Sequence, residues 1–354
     1  MTTAPQGGHV LVARLDSLGD LLLTGPAVRA VAAGASRVTM LVGRGRSSAA
    51  RLLPGVDDVI EFEAAWVVPD AAPLRPDEVD GLVETLRAAE LDAALVFTSF
   101  HQSPLPLALL LRLAGVGWNG AISIDYPGSL IDLRHRVPDG VPESERALSL
   151  AVAAGFAPTG VEPARLAVRG PLPDVTAHTG AGSYVVFHPG ADAEARRPTA
   201  DHSRALVAGL VAAGHRVLVT GSAAESTLAA YVAQGLARDL AGRLDLPGLA
   251  AVLDRAEVVV APNTGPAHLA AAVGTPVVSL FAPVVLARQW APYGVPSIVL
   301  GDQSAACRGT RARHCPVPGH PCLSSVSVDD VVVAVAQLSA GARAQPFTRG
   351  HVRA

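Results

Sequence analysis

Residues 262–268 (PNTGPAH) have the composition of a phosphate-binding turn. They lie between the apolar run 257–261, predicted to be a strand, and an alanine-rich segment predicted to be a helix from residue 265. Proline is well tolerated at the start of a helix, and the free N–H groups and dipole there favour phosphate. The alternative is an ordinary helix cap followed by a structural histidine. The residues expected to bind a phosphorylated ligand are Asn263, Thr264, Gly265, Pro266 and His268.

A second candidate site follows the first predicted strand, in the segment 14–20 (RLDSLGD). Asp20 stands at the predicted start of a helix, where a carboxylate can simply cap exposed backbone N–H groups. If Asp20 instead faces a ligand, it can act as a general base that takes a proton from a hydroxyl group. Asp16 is the rival for this role. We expect Asp16, Ser17 and Gly19 to line the side of the site that receives the hydroxyl-bearing acceptor.

The segment 188–198 (HPGADAEARRP) also follows a predicted strand directly. Gly190 frees the backbone for close approach to an anion, and Arg196 and Arg197 offer forked N–H donors to diphosphate oxygens. The alternative is a solvated basic loop. Fixed cations of this kind can stabilise a leaving diphosphate, with Arg196 as the expected catalytic cation. The residues expected to bind the donor, the ligand that carries this diphosphate, are His188, Gly190 and Arg197. Thr220 and Gly221, at the end of the predicted strand 216–220, are expected to join them.

The elements that must position these loops alternate between short β-branched runs and Ala/Leu-rich amphipathic segments. Near-continuous apolar strands alternating with helices are typical of a parallel sheet covered on both faces. The stretch 156–182 breaks this rhythm with several prolines and glycines, which indicates a connection between domains. The predicted fold class is therefore α/β, with two Rossmann-like, doubly wound parallel-sheet domains. In such sheets ligands bind beyond the carboxyl ends of the strands, where all three candidate loops lie.

The predicted boundaries follow from this rhythm. The first domain covers residues 1–170 and is expected to bind the acceptor. The second covers residues 183–325 and is expected to bind the nucleotide. A final helix within 326–340 is expected to pack back on the body. The predicted strands are 10–13, 37–42, 56–62, 93–97, 184–188, 216–220, 257–261 and 276–281.

The composition of the 354 residues excludes several classes of function. Half of the residues are hydrophobic and 17% are charged, so two cores can be buried and extensive disorder is not expected. The net charge of −3 gives no reason to expect nucleic acid as a partner. The chain has no lysine, which excludes a Walker-type phosphate loop and a Schiff base. No apolar run approaches the roughly 20 residues of a membrane span, and we expect a cytoplasmic protein without a signal peptide.

Three cysteines lie close together in the sequence, at Cys307, Cys315 and Cys322. With His314 or His320 they could form a zinc site, but their spacing lacks the tight Cys-x2-Cys hairpin of known zinc fingers. An odd number of cysteines without a secretion signal argues against a disulfide framework. A loop of partly buried thiols is the favoured interpretation.

Taken in order, the three candidate segments resemble the heptosyltransferases of glycosyltransferase family 9. That family has Leu-Gly-Asp near its start, His-Pro-Gly before a basic loop, and Asp/Asn-Thr-Gly-Pro-x-His-Leu-Ala-Ala-Ala late in the chain. The resemblance covers residues 9–338. It implies a GT-B fold with two domains facing across a cleft, inversion at the anomeric carbon, no metal ion and ADP-heptose as the usual donor. It also implies that Asp20 is the base, that Arg196 or Arg197 stabilises the leaving diphosphate, and that Thr264, Gly265 and His268 contact the donor.

The chain departs from the family pattern at two positions. Asn263 stands where well-characterised members have an aspartate that contacts the donor sugar. Asparagine keeps the shape of that side chain, loses its charge and gains two hydrogen-bond donors, so the identity of the sugar is open. Arginine occupies the basic position where lysine is common.

The resemblance implies a nucleotide-diphosphate sugar as the donor, with a glycan, a glycolipid or a small secondary metabolite as the acceptor. The usual acceptor of the family is the inner core of lipopolysaccharide, so peripheral contact with a membrane is possible. We expect no cofactor. Two alternatives remain open from the sequence. One is a nucleotide-sugar epimerase with two Rossmann domains, and the other is a sugar-nucleotide binding protein without catalytic activity.

Overall fold

The computed structural model describes residues 3–68, 70–158, 160–344 and 351–352. The chain divides into two compact units, Met1–Arg165 and Leu166–Arg353. Each unit contains one six-stranded sheet in which every strand pairs in parallel with its neighbours. This arrangement confirms the predicted α/β class with two doubly wound parallel sheets.

The described residues of the first unit form six strands and five helices. The strands are β1 (His9–Arg14), β2 (Arg37–Val42), β3 (Asp58–Glu61), β4 (Ala93–Phe97), β5 (Trp118–Ile122) and β6 (Leu133–His135). The helices are α1 (Leu18–Gly34), α2 (Ser47–Arg51), α3 (Pro76–Ala88), α4 (Leu105–Leu113) and α5 (Glu143–Ala153).

The strand order of the first sheet is β3-β2-β1-β4-β5-β6. β2 and β3 therefore lie on one side of β1, and β4, β5 and β6 lie on the other side. Right-handed crossovers put the connecting helices of the two halves on opposite faces, so the loops after β1 and β4 diverge there and leave room for a ligand. Arg14, the last residue of β1, is in register with Phe97, the last residue of β4.

The second unit repeats this plan. Its strands are β7 (Val168–Arg169), β8 (Val185–Phe187), β9 (Val217–Val219), β10 (Arg238–Asp239), β11 (Val258–Pro262), β12 (Val277–Leu280), β13 (Ser297–Leu300) and β14 (His351–Val352). Its helices are α6 (Thr176–Thr179), α7 (Ala200–Ala212), α8 (Ser226–Ala233), α9 (Leu246–Asp254), α10 (Gly265–Val273), α11 (Ala287–Trp290), α12 (Pro321–Ser324) and α13 (Val328–Ala344). Glu194–Arg196 and Ala223–Glu225 form short 3-10 turns.

The order of the second sheet is β10-β9-β8-β11-β12-β13, so its switch point lies between β8 and β11. The strands β8 and β11 are completely or almost completely buried, as expected for the centre of a sheet covered on both faces. The last helix, α13, packs against α7. A Cβ atom added to Gly209 of α7 would lie 2.0 Å from Val328 Cγ1, so the close contact between these two helices depends on that glycine.

The sequence patterns missed β5, β6 and α5 in the first unit. Strand β5 (WNGAI) lacks a β-branched run and has a glycine at its centre, which is unfavourable in an isolated strand. Tertiary packing explains the glycine, because a Cβ at Gly120 would lie 2.9 Å from Leu95 Cδ2 and 2.7 Å from the ring of Trp118. Among the described residues, none of the helices combines the length and apolar character needed to cross a bilayer.

Candidate functional site

A buried guanidinium organises the candidate site of the first unit. Arg14 ends β1, and its side chain is fully buried. Its nitrogens form ion pairs with three carboxylates: Nε with Asp16 Oδ1 at 2.6 Å, Nη2 with Asp20 Oδ1 at 3.1 Å and Nη1 with Glu143 Oε1 at 2.7 Å. Burial alone lowers the pKa of Arg14, but the three negative charges outweigh it and raise the pKa overall. Arg14 is therefore permanently cationic and neutralises the acids around it.

Asp20 has the capping role that its position suggested. It is the third residue of α1, Ser17 is the N-cap, and together they form a capping box. Ser17 Oγ donates to Asp20 Oδ2 at 2.6 Å, and the Asp20 N–H donates back to Ser17 Oγ at 3.2 Å. The Asp20 side chain nevertheless keeps 13% of its surface exposed. Capping therefore holds this carboxylate in one orientation and still leaves it accessible.

Asp16 is held more tightly than Asp20. It makes a two-pronged contact with Arg14 and accepts a hydrogen bond from Ser99 Oγ at 2.8 Å. Burial raises the pKa of Asp16 to about 6, with a smaller contribution from the charge of Asp20, while Arg14 opposes the shift. Asp16 and Asp20 thus share one guanidinium, and Asp16 changes charge near neutral pH.

Sequence analysis missed three members of this network: Ser99, Glu143 and Arg146. Glu143 is the first residue of α5 and is completely buried. Arg146 Nη1 bonds to Glu143 Oε1 at 3.1 Å and to the Thr98 carbonyl at 2.8 Å. In the sequence, an acidic residue followed three positions later by arginine is typical of an exposed helix start. That local pattern gives no sign that the pair is buried beneath the first candidate site.

In the second unit, the predicted residues His188 and Thr220 meet at the carboxyl edge of the sheet. His188 follows β8, Thr220 follows β9, and both side chains are buried. The His188 Nδ1 lies 3.1 Å from Thr220 Oγ1. Burial lowers the pKa of His188, so the imidazole is neutral at physiological pH. The same backbone is tied to the next strand, because the His188 N–H donates to the Val260 carbonyl at 2.9 Å.

Gly190 is required by a close neighbour that sequence analysis did not identify. A Cβ atom at this position would lie 1.8 Å from Glu225 Oε1. Glu225 closes a capping box with Ser222, whose N–H donates to Glu225 Oε2 at 2.8 Å. Burial opposes ionisation, but the hydrogen bonds from Ser222 and the charge of Arg197 lower the pKa of Glu225 overall. The Ser222-x-x-Glu225 pattern was the available signal, and it predicts only a helix start.

The two predicted cations stand on a tight turn. Arg196 ends the 3-10 turn Glu194–Arg196, Arg197 follows it, and both are half-buried. Ala195, between Glu194 and Arg196, is almost completely buried at 1% exposure. The turn thus anchors its middle residue in the core, with the exposed Glu194 on one side of it and the half-buried Arg196 on the other.

The predicted phosphate-binding turn is the N-terminus of α10. Thr264 is the N-cap in extended conformation, and its side chain makes no capping hydrogen bond. Thr264 and Gly265 are partly exposed, whereas Asn263, Pro266 and every later residue of the helix are buried. The helix start is therefore open to solvent at the two residues whose hydroxyl and backbone would contact an anion. His268 is buried in the first turn of the helix, at 3% exposure.

The three cysteines are free thiols. Cys307 and Cys322 are buried, and Cys315 is half-buried. Burial and the neighbouring Cys307 and Cys315 raise the pKa of Cys322 to about 11, so this thiol is protonated and a poor nucleophile. Within the described ranges, no group of three or more His, Cys, Asp or Glu side chains is arranged to hold a metal ion.

The chain is similar to heptosyltransferases both in sequence and in structure. The model of glycosyltransferase family 9 (heptosyltransferase) matches residues 80–319, which is more than half of the chain. Lipopolysaccharide heptosyltransferase 3 of Escherichia coli is 35% identical over 111 residues, and the match covers 29% of this chain and 33% of that protein. This chain therefore aligns with about a third of the length of that relative.

Two solved structures match nearly the whole chain. The ADP-heptose lps heptosyltransferase II of E. coli has a TM-score of 0.73 at 19% identity, covering 95% of this chain and 99% of that one. The E. coli heptosyltransferase WaaC with ADP has a TM-score of 0.69 at 23% identity, covering 93% and 99%. At these identities the likeness shows the fold, and it confirms the expected GT-B class. The loop 188–198 and the turn 262–268 lie inside the residues matched by the family model, whereas Asp20 lies before them.

Proposed function

Because this chain belongs to glycosyltransferase family 9 (heptosyltransferase), we propose that it transfers a sugar from a nucleotide-diphosphate sugar to a hydroxyl group of an acceptor. The donor is ADP-heptose, and transfer proceeds with inversion and without a metal ion. The acceptor is a glycan, a glycolipid or a small secondary metabolite. The first unit binds the acceptor and the second unit binds the donor.

The observation that carries this proposal is the open N-terminus of α10. Thr264 and Gly265 are partly exposed in a segment that is otherwise buried, and the Thr264 hydroxyl is not used as a cap. A helix start with available donors binds phosphate through its N–H groups and its dipole. Solved relatives named for their complexes with ADP and with ADP-2-deoxy-2-fluoro heptose support an adenine nucleotide as the donor.

The leaving group is stabilised by arginine. Arg196 and Arg197 supply N–H donors to the diphosphate, and fixed cations take up the charge that develops as the sugar departs. Glu225 lies beside Gly190 and is anionic, so it repels phosphate. Its carboxylate is suited to accept hydrogen bonds from hydroxyl groups of the ribose or the sugar. The Asn263 side chain likewise forms hydrogen bonds with hydroxyl groups of the donor sugar.

Asp20 acts as the general base. Its partly exposed carboxylate takes the proton of the acceptor hydroxyl as that oxygen forms a bond to the anomeric carbon. The bond between the anomeric carbon and the diphosphate oxygen breaks, and its electron pair leaves with ADP. Attack opposite the leaving group inverts the anomeric centre. Arg14 and Ser17 hold the Asp20 carboxylate during this step.

The donor can be tested by thermal unfolding of the purified protein with ADP-, GDP-, UDP- and dTDP-sugars. A ligand that binds only the native state raises the unfolding temperature by mass action. We expect the largest increase with ADP-heptose, and we expect Thr264→Val to reduce it. Thr85→Val, which removes an exposed hydroxyl bonded to the Gly81 carbonyl in the first unit, is the matched control. A preference for UDP- or dTDP-sugars, or loss of transfer on addition of EDTA, would contradict the proposal.

A further inference from the structure

The segment 302–322, which contains all three cysteines, crosses the carboxyl side of the second sheet. We call it the cysteine segment. The Gly309 N–H donates to the Pro283 carbonyl at 2.8 Å, and the Arg311 N–H donates to the Val284 carbonyl at 2.8 Å. Pro283 and Val284 lie shortly after β12. At its ends the segment closes on itself, because the Asp302 N–H donates to the Cys322 carbonyl at 2.9 Å. The segment is therefore fastened to the edge of the sheet where the donor loops lie.

The cysteine segment also holds Ala195, the residue directly before Arg196. The Ala195 N–H donates to the Arg313 carbonyl at 2.9 Å. The Ala195 carbonyl accepts a hydrogen bond from His320 Nε2 at 3.1 Å in a buried environment. Both backbone polar groups of this residue are therefore bonded to the same segment. Because the chain continues from Ala195 into Arg196 and Arg197, this contact fixes the backbone from which both arginines project.

His320 is buried, and its backbone has a conformation that is uncommon for a residue other than glycine. It is 8% exposed, and its backbone is left-handed, with φ 50° and ψ 51°. Residues other than glycine rarely adopt this conformation, and asparagine, aspartate and histidine tolerate it best. The adjacent Cys322 and Leu323 belong to the same buried cluster as Ala195. The His320 ring is bonded to the loop that carries Arg196 and Arg197 through the Ala195 carbonyl.

We propose that His320 is a positioning residue for sugar transfer, which fixes Ala195 and thereby orients Arg196 and Arg197 toward the donor diphosphate. The inference rests on the proposed role of these arginines in binding the leaving group. Removing the imidazole N–H leaves a buried carbonyl without its donor, and the free energy of such a group falls when it moves toward water. The 3-10 turn then shifts, and the two cations no longer keep one orientation.

The test compares three variants of the full-length protein. His320→Asn tolerates the left-handed backbone but is too short to reach Ala195, whereas His320→Gln keeps an N–H donor of similar reach. His314→Asn is the matched control, since His314 lies on the same segment, is 89% exposed and contacts the neighbouring Glu194. We expect His320→Asn to weaken ADP binding and lower kcat by roughly tenfold, the size of effect expected for one lost buried hydrogen bond, with the acceptor KM unchanged. His320→Gln restores most of both, and His314→Asn changes neither.

Hydrogen exchange of residues 193–197 provides a readout independent of activity. Faster exchange in His320→Asn, with slow exchange restored in His320→Gln, supports the proposal. If His320→Asn does not fold, the His320→Gln variant provides the test. A folded Gln variant with weak ADP binding and rapid exchange of the turn overturns the proposal. A folded Gln variant whose ADP binding and exchange are close to those of the original protein supports it. A folded His320→Asn variant that binds ADP normally also overturns it.

Arginine variants separate this inference from the function on which it rests. If Arg196→Ala and Arg197→Ala leave ADP binding and turnover unchanged, the assignment of the leaving-group loop fails, whatever His320 does. If the arginine variants weaken ADP binding and His320→Asn does not, the proposed function stands and only the positioning role of His320 is lost.

Discussion

Arg14 Nη1 lies 2.7 Å from Glu143 Oε1, and both side chains are completely buried. These residues are 129 positions apart, and their contact ties the end of β1 to the start of α5. Glu143 competes with Asp16 and Asp20 for the charge of one guanidinium. A buried carboxylate that neutralises part of Arg14 therefore limits how strongly Arg14 stabilises the negative charge of Asp16 and Asp20, whose side chains are 10% and 13% exposed.

Replacing Asp20 by Asn removes the proposed base and keeps the helix cap. At this third helical position the asparagine side-chain oxygen can still accept the hydrogen bonds from Ser17, so the variant is expected to fold. Turnover should fall by at least about 100-fold, the lower end of general-base contributions. Steady-state kinetics measures this loss, and calorimetry should find ADP binding nearly unchanged. Unchanged turnover would remove Asp20 from the mechanism and leave Asp16 as the candidate.

Asp16 makes stability depend on pH in an unusual direction. Burial raises its pKa from 3.8 to about 6, so between these values the folded protein binds a proton that the unfolded chain has lost. The contribution of Asp16 to stability is therefore present below about pH 4 and is lost as pH rises through about 6. The upper limit of this change is about 3 kcal/mol.

Asp16→Asn should remove this dependence. The measured quantity is the free energy of unfolding of the original protein minus that of the variant, obtained from urea unfolding at several pH values between 4 and 8. We expect the difference to become less favourable to the original protein as pH rises and then to level off above about pH 7. A difference that stays constant over this range would mean that the Asp16 carboxyl titrates normally.

Glu143→Gln should change the pH dependence of catalysis. With that charge gone, Arg14 attracts Asp16 and Asp20 more strongly, so the pKa of Asp16 should fall and the Asp20 carboxylate is held more tightly. We expect kcat to fall several-fold and the acid limb of the pH–rate profile to move to lower pH. A loss of stability alone would lower the amount of active protein without moving that limb.

Asp58→Asn is the matched control for Glu143→Gln. Asp58 pairs with Arg37 in the same unit, and its side chain is 43% exposed. Exposed pairs contribute little to stability, and this one lies on β2 and β3 away from Arg14. The control should leave both kcat and the profile unchanged.

Arg197→Ala should weaken stabilisation of the leaving diphosphate. Loss of a charged donor aimed at developing negative charge costs about 10- to 1,000-fold in kcat, and we expect a value in this range. The affinity for ADP should fall with it, as measured by calorimetry. Arg255→Ala is a suitable control, since Arg255 is 43% exposed and pairs with Asp174 on the surface of the same unit. An equal effect of both variants would indicate a nonspecific charge effect.

Asn263→Asp should alter the choice of sugar without altering the choice of nucleotide. The change restores the charged acceptor found in well-characterised members of the family and removes two N–H donors. We expect the ratio of kcat/KM for ADP-heptose to that for another ADP-sugar to change by about tenfold, in favour of ADP-heptose. An unchanged ratio would show that Asn263 does not determine which donor sugar the protein uses.

The sequence by itself determined the α/β class, the two parallel sheets and the position of the candidate loops at their carboxyl ends. These features follow from local signals. Apolar strands, turn residues and helix starts are encoded in short stretches such as 14–20 and 258–268, and each can be recognised from its own residues. The helix start at Thr264 and the capping of α1 by Ser17 and Asp20 belong to this class of feature.

Only the tertiary structure decided which distant residues support these loops. Glu143 reaches Arg14 across 129 positions and His320 reaches Ala195 across 125, and neither contact leaves a periodic or local trace in the sequence. Glu225 likewise presents only a capping pattern, although its carboxylate fills the space beside Gly190. The physical reason is that burial and charge balance depend on the packing of elements far apart in the chain, whereas turns and caps depend on neighbours within a few residues.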